Sequence, residues 1–250
     1  MATLAALLRG RKHVVVGSNL PIPAAASLLA RQRSATMRIE ILGSARNNAL
    51  VGLADLYDFA CQGRFDGFFL SPGQVDGAAN VNLVGVGPYP RLDVRWSGSH
   101  GSPLLYMMIP NVILFRTEHS RRVLVPAVDF VSAAGVSARN VFRPGGPIGL
   151  VTGFASFSFD PHAGRFTLQT VHPGHTEAEI EQHTGFSFDR APLVATTPLP
   201  DVATCDDIAG AVSDELAEVY PRFAERLRAS AATLRASLLR AQEQVSGAKS

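Results

Sequence analysis

Three short stretches of this chain gather residue types that could do chemistry. The first, Gly73-Gln-Val-Asp-Gly-Ala-Ala-Asn-Val-Asn82, packs Gln74, Asp76, Asn80 and Asn82 directly after an apolar run. Amides and a carboxylate placed at the end of a strand can hold a substrate's carbonyl or carboxylate. The same spacing also suits an Asx turn, in which Asp76 and Asn80 satisfy only the backbone. The second stretch is Ser97-Gly-Ser-His-Gly-Ser102. Its glycines, Gly98 and Gly101, let backbone N–H groups approach an anion or a developing oxyanion. Ser99 beside His100 has the composition of a nucleophile and a base, although loop neighbours seldom aim at each other; a plain connecting loop is the other reading. The third stretch, Arg116-Thr-Glu-His-Ser-Arg-Arg122, is a charge run of the kind that usually forms a solvated turn.

Other chemistries lack their residues. There is no G-x-S-x-G, Walker A, H-E-x-x-H or C-x-x-C motif. Gly85-Val-Gly87 is a dinucleotide fingerprint without its third glycine. His172-Pro-Gly-His175 with His183 invites a metal, but a proline turn followed by a capping box accounts for the segment, and no metal site is expected. The two cysteines, Cys61 and Cys205, read as free thiols, and the two lysines, Lys12 and Lys249, leave no candidate for a Schiff base or a P-loop.

The elements that must position the three stretches alternate. Helical composition over Ala2 to Arg9 precedes a β-branched run at His13 to Val16, which ends on Gly17. A helix over Ala24 to Arg33, a strand over Met37 to Leu42, a helix over Leu53 to Cys61 and a strand over Phe65 to Leu70 follow. Val81 to Val86, Val112 to Arg116 and Val123 to Val125 read as strands. Leu150 to Phe159 and Arg165 to Val171 read as a hairpin about Asp160-Pro-His-Ala-Gly164. Thr176-Glu-Ala-Glu179 is a capping box for a helix ending near His183, with Gly185 as its stop. Ala191 to Pro200 reads as a linker, and Ala211 to Val245 as one or two amphipathic helices. These patterns predict an α/β fold with an open, mainly parallel sheet flanked by helices, and a C-terminal helical extension. Residues 1–195 are expected to form the α/β body, and 196–250 a linker and helical tail.

Composition narrows the function. Hydrophobic residues are 46% and charged residues 18% of the 250, so the chain is globular. A net charge of +2 provides no basic field for nucleic acid. No run of about 20 apolar residues occurs, so no membrane span is expected. Met1 to Gly10 lacks a charged start and a cleavage site, and a cytoplasmic location is expected.

The motifs, taken in order over roughly residues 3 to 190, resemble the β-type subunit of the class I CoA-transferase family, typified by glutaconate CoA-transferase. The resemblance rests on Gly17-Ser-Asn-Leu-Pro-Ile-Pro-Ala24, Gly73-Gln-Val-Asp76 with Asn80-Val-Asn82, and the Ser97–Ser102 glycine loop. It continues through Glu118-His119 to Val128-Asp129-Phe130, and Val171-His-Pro-Gly174 with Thr184-Gly-Phe186. It implies a CoA-transferase (NagB-like) fold, an α-type partner in an α2β2 assembly, and coenzyme A present as part of an acyl-CoA substrate, with no covalently bound cofactor. It also implies that Gln74 and Asp76 orient the acyl group. The backbone from Gly98 to Gly101 would hold the thioester oxyanion or line the CoA channel, and Asn80 would support the loop or touch substrate. In the family a glutamate attacks the thioester. Gly43 stands at that position here, Glu40 lies three residues earlier, Gly77 replaces a basic residue, and His100 replaces a small one. The implied function is therefore a β-type subunit whose partner supplies the glutamate. The alternatives are an acyl-CoA hydrolase, cutting a thioester or a ring carbon–carbon bond of a steroid-derived CoA ester, and a non-catalytic partner.

Overall fold

The computed structural model describes residues 1–34 and 36–247. In chain order the elements are α1 (Ala2–Leu7), β1 (His13–Val16), α2 (Pro21–Gln32), β2 (Arg38–Ile41), α3 (Leu53–Cys61), β3 (Gly67–Leu70), β4 (Gln74–Val75), β5 (Val81–Asn82), β6 (Gly85–Val86) and β7 (Val94–Arg95). Then come α4 (Ser102–Met108), β8 (Val112–Phe115), β9 (Pro147–Val151), β10 (Ala155–Asp160), β11 (Arg165–Val171), α5 (Glu177–His183), β12 (Asp189–Thr196), α6 (Val202–Asp207), a π-helical segment (Ile208–Val212), α7 (Ser213–Leu216) and α8 (Pro221–Gly247). They form two compact units. One contains residues 1–11, 16–48 and 199–250, and the other contains 12–15 and 49–198.

In the first unit, α2 starts on Pro21, whose fixed φ suits the first helical position and whose missing N–H would have had no partner there. Its Pro23-Ala-Ala-Ala-Ser27 run is buried, and these small side chains let α1, β2 and α7 pack close to it. The C-terminal residues are therefore docked on the chain's own N-terminal elements. Gly210, at φ −94 and ψ −111, breaks the path between α6 and α7. On α8, Ala224 and Ala231 are buried and Leu227, Leu234 and Leu238 are half-buried, which is the amphipathic stripe expected from the spacing. The helical region starts at Val202, ahead of the expected Ala211.

The second unit is built on strands in the order β12-β11-β10-β9-β8-β3-β1. β1, β3, β8 and β9 run parallel, and β9-β10-β11 is an antiparallel meander. Gly67-Phe-Phe-Leu70 and Val112-Ile-Leu-Phe115 are buried along their whole length, as parallel strands covered on both faces must be. The fold is thus the expected α/β class.

Local readings needed five corrections. Val81 to Val86 is not one strand but two, because Asn82 Oδ1 takes the N–H groups of Val84 and Gly85 and turns the chain, so that β5 pairs with β4 and β6 with β7. Val123 to Val125 is not a strand; it contributes a single bridge, Val75 to Leu124. Leu150 to Phe159 is two strands, because the Thr152 hydroxyl accepts from the N–H groups of Phe154 and Ala155 and turns the chain between β9 and β10. Ala191 to Pro200 is not a free linker, since β12 pairs in parallel with β11 through Thr196. Gly185 does not cap α5 in a left-handed conformation; the helix ends on an extended Thr184. Gly185 is needed for close approach, since a Cβ there would stand 2.3 Å from the Leu124 carbonyl oxygen.

Candidate functional site

β3 ends on Leu70, and the chain turns at once into the β4–β5 hairpin, where Gln74 lies opposite Asn82. Both side chains are buried. The Gln74 Oε1 accepts from Asn82 Nδ2 at 2.7 Å and from the Asp129 backbone N–H at 3.1 Å, while its Nε2 donates to Asp129 Oδ2 at 3.2 Å. Asn82 Nδ2 also donates to the Gly85 carbonyl, and its Oδ1 accepts from Val84 N. Asp129 Oδ2 in turn accepts from Gly87 N at 2.9 Å. One buried amide pair therefore joins the hairpin, the Gly85–Gly87 segment and the Asp129 segment. Such a network is rigid when its members are satisfied.

Asp76 occupies the tip of the hairpin. Its Oδ1 accepts from Ala78 N and Asn80 N, both at 3.0 Å, and its Oδ2 accepts from Asn80 Nδ2 at 3.0 Å. Asn80 Oδ1 accepts from Gly135 N. Asp76 and Asn80 thus make the Asx turn that the sequence allowed as one of two readings. Beside them, Gly77, Pro126, Arg165 and Phe186 line a cavity of about 350 Å³. A Cβ on Gly77 would come within 3.1 Å of Phe186, so the glycine lets this ring close on the turn.

The glycine loop leaves β7 at Trp96, whose ring lies on Gly73; a Cβ there would meet it at 2.2 Å. Trp96 N also donates to the Val84 carbonyl. The loop thus begins against the residue that precedes Gln74. Gly98 (φ +100) and His100 (φ +46) take left-handed conformations. His100 is exposed, Ser99 and Gly98 are half-buried, and among the described residues no hydrogen bond joins Ser99 to His100. Gly101 starts α4 against the Tyr57 ring.

The charge run is only partly a solvated turn. Glu118 and Arg122 form an exposed pair, but His119 between them is buried. Its Nδ1 lies 2.7 Å from Thr152 Oγ1 and its Nε2 3.0 Å from Thr184 Oγ1. Burial holds its pKa down to about 4, against 6.5 for a free imidazole. Phe154 is stacked between His119 and His175, with centroids 4.9 and 3.9 Å away. His172 bonds to Thr197 Oγ1 and the Thr152 carbonyl. Among the described residues, no group of three or more His, Cys, Asp or Glu side chains could hold a metal ion.

The turn after β2 lies in the first unit. Gly43 has φ +95, where a side chain is strained. Glu218, just past α7, meets this turn: Oε2 accepts from Ser44 Oγ at 2.7 Å, and Oε1 accepts from Ala45 N and Arg46 N at 2.6 and 3.1 Å. These bonds, Ser44 first, hold its carboxyl below the usual carboxylate range. With both oxygens so engaged, Glu218 serves as a strut. Glu40 lies buried within β2.

Sequence reasoning had no access to Asp129 as the partner of Gln74, 55 residues away, or to Glu218 as the partner of Ser44, 174 away. No local spacing reports such contacts.

No family model matches the chain. It is 26% identical over 160 residues to the B-type subunit of 3-oxoadipate CoA-transferase from Pseudomonas knackmussii, a stretch that is 61% of this chain and 61% of that relative. The structure is similar to glutaconate CoA-transferase from Acidaminococcus fermentans, with TM-score 0.73 and 19% identity over 84% of this chain and 91% of that one. It is also similar to the decarboxylase AibA/AibB, with TM-score 0.70 and 20% identity over 90% and 96%. These likenesses show the fold, which is that of glutaconate CoA-transferase.

Proposed function

From this CoA-transferase fold we propose that the chain is the β-type subunit of a heteromeric class I CoA-transferase-family enzyme that acts on an acyl-CoA thioester with an α-type partner. The observation that carries the reading is the buried Gln74–Asn82–Asp129 network. It fixes an amide after a central parallel strand, where ligands of such sheets bind, and the Trp96 ring on Gly73 brings the start of the glycine loop beside it. Gln74 orients the acyl group. The backbone from Gly98 to Gly101 polarises the thioester carbonyl, a role that contributes about 3–4 kcal/mol per donor in other enzymes. Asp76 and Asn80 hold the hairpin tip. Coenzyme A enters as part of the substrate, and the assembly is α2β2.

The reacting carboxylate comes from the partner, because Gly43 carries no side chain and Glu218 is fully engaged. It attacks the thioester carbonyl and releases CoA thiolate; the thiolate then attacks the anhydride at the enzyme's own carbonyl, freeing the donor acid and leaving an enzyme–CoA thioester, from which CoA passes to an acceptor carboxylate by the same steps in reverse, or which water hydrolyses to free CoA. Gly43 also favours a second reading, hydrolysis of an acyl-CoA thioester or of a ring carbon–carbon bond in a steroid-derived CoA ester. Among the described residues no helix is long and apolar enough to cross a membrane, and we place the enzyme in the cytoplasm.

The test is to co-express the chain with an α-type partner, supply acyl-CoAs with and without an acceptor acid, and follow free CoA and new thioester together. New thioester that needs the acceptor is the expected result. Free CoA or a ring-opened thioester without acceptor supports the hydrolytic reading. An assembled complex inert toward acyl-CoAs contradicts both.

A further inference from the structure

β6 and β7 pair through two residues each, Gly85 with Arg95 and Val86 with Val94, and form a sheet of their own. A two-stranded ribbon is marginal in water by itself. This one leaves large apolar side chains in solvent: Tyr89 is 58% exposed and Val94 49%. The Tyr89 ring stands 5.0 Å from that of Phe130, and the next residue, Val131, is 52% exposed. Apolar side chains gathered in this way on a short hairpin and on the loop beside it mark a surface that another molecule covers.

The charges of the hairpin lack partners. Arg91 and Arg95 are exposed, and among the described residues neither guanidinium has a hydrogen bond or an ion pair. The neighbouring carboxylates are turned elsewhere. Asp129 Oδ2 accepts from Gln74 Nε2 and Gly87 N. Asp93 lies over Gly87, where a Cβ would stand 2.6 Å from its Oδ2. Aromatic rings beside arginines are the composition of the energetic centre of protein interfaces.

Position selects the occupant. Asp129 immediately precedes Phe130, Gly87 comes two residues before Tyr89, and the bond between them belongs to the Gln74 network. Trp96, which follows Arg95, lies on Gly73 and begins the glycine loop. The apolar surface therefore adjoins the groups that hold the acyl-CoA carbonyl in the proposed reaction. A partner that brings its carboxylate to those groups must come down beside them. We propose that the β6–β7 hairpin and the Phe130–Val131 segment are the docking surface for the α-type partner, which receives Tyr89 in an apolar pocket and meets Arg91 and Arg95 with carboxylates. This rests on the heteromeric reading above and adds which surface meets the partner and what the partner's face carries.

The test is to mix the full chain with the α-type partner at low and high salt and to follow association by sedimentation and amide exchange. The wild type, Tyr89→Ser and the double variant Arg91→Glu with Arg95→Glu are compared, and each chain alone is also titrated with coenzyme A. Both variants change only exposed side chains. Association of the wild type is expected, with slowed exchange at residues 86–95 and 128–132. Each variant should weaken it roughly tenfold or more, and the double variant should also lose most of the salt dependence. If the wild type and the partner do not associate, the heteromeric reading fails and this surface with it. If they associate but both variants keep full affinity, or exchange at residues 86–95 is unchanged, the reading stands and this surface is overturned. Two further results overturn it with partner binding unaffected. Self-association that the variants abolish assigns the surface to a second copy of the chain. Coenzyme A binding that only the arginine variant abolishes assigns it to the phosphates of the substrate.

Discussion

Gln74 is a buried amide whose oxygen takes two donors and whose nitrogen serves Asp129. Truncation to alanine leaves buried donors of Asn82 and Asp129 short of an acceptor, and Gln74→Ala should cost about 1–3 kcal/mol of stability by urea denaturation. His119 makes a second prediction. Its imidazole is neutral when folded, with a pKa of about 4 against 6.5 when free. The unfolded chain therefore binds the proton first as the pH falls. The stability that His119 contributes is whole above about pH 6.5 and drains away between there and about pH 4. Urea midpoints at pH 7 and pH 5 should differ more in the wild type than in His119→Phe, which keeps the stack on Phe154 but cannot titrate. At this scale the sequence was half legible. The Asp76–Asn80 turn could be read because its bonds span four residues. The burial of His119 inside a charge run could not, because it depends on Thr152 and Thr184 from distant segments.

Elements were most legible where local chemistry sets their ends. The Thr176 hydroxyl accepts from Glu179 N while Glu179 Oε2 accepts from Thr176 N, so α5 begins where the capping box says it must. Thr176→Ala should lower stability by about 1 kcal/mol in the same denaturation experiment. The far end of α5 was misread, because a glycine after a helix signals a cap by habit of sequence, whereas Gly185 is there for the backbone of Leu124. Gly185→Ala should cost about 1–3 kcal/mol, since a carbonyl oxygen cannot rotate aside as a side chain can. β12 escaped notice for a related reason. It carries Pro192 at the edge of a sheet, where a missing donor is tolerated, so that proline did not mean linker.

At the scale of the whole chain, the C-terminal residues rejoin the N-terminal ones. Arg31 pairs with Glu215 at 2.5 Å, Asn47 donates to the same carboxylate, and Glu218 ties down the Gly43–Arg46 turn. Removing that strut in Glu218→Ala should speed amide exchange at Ala45 and Arg46 without altering exchange in β3. The amphipathic helices of the tail thus share a unit with the start of the chain, and no pattern of hydrophobic residues announces which surface they cover. If the reacting carboxylate comes from an α-type partner, as proposed, this chain works only inside a heteromer. The most direct measurement is acyl-CoA turnover by this chain alone, by an α-type partner alone, and by the purified complex, with the mass of each species determined in solution. Turnover is expected only in a complex that contains both chains. Equal turnover by this chain alone, or a chain that never associates with such a partner, would contradict the heteromeric mechanism.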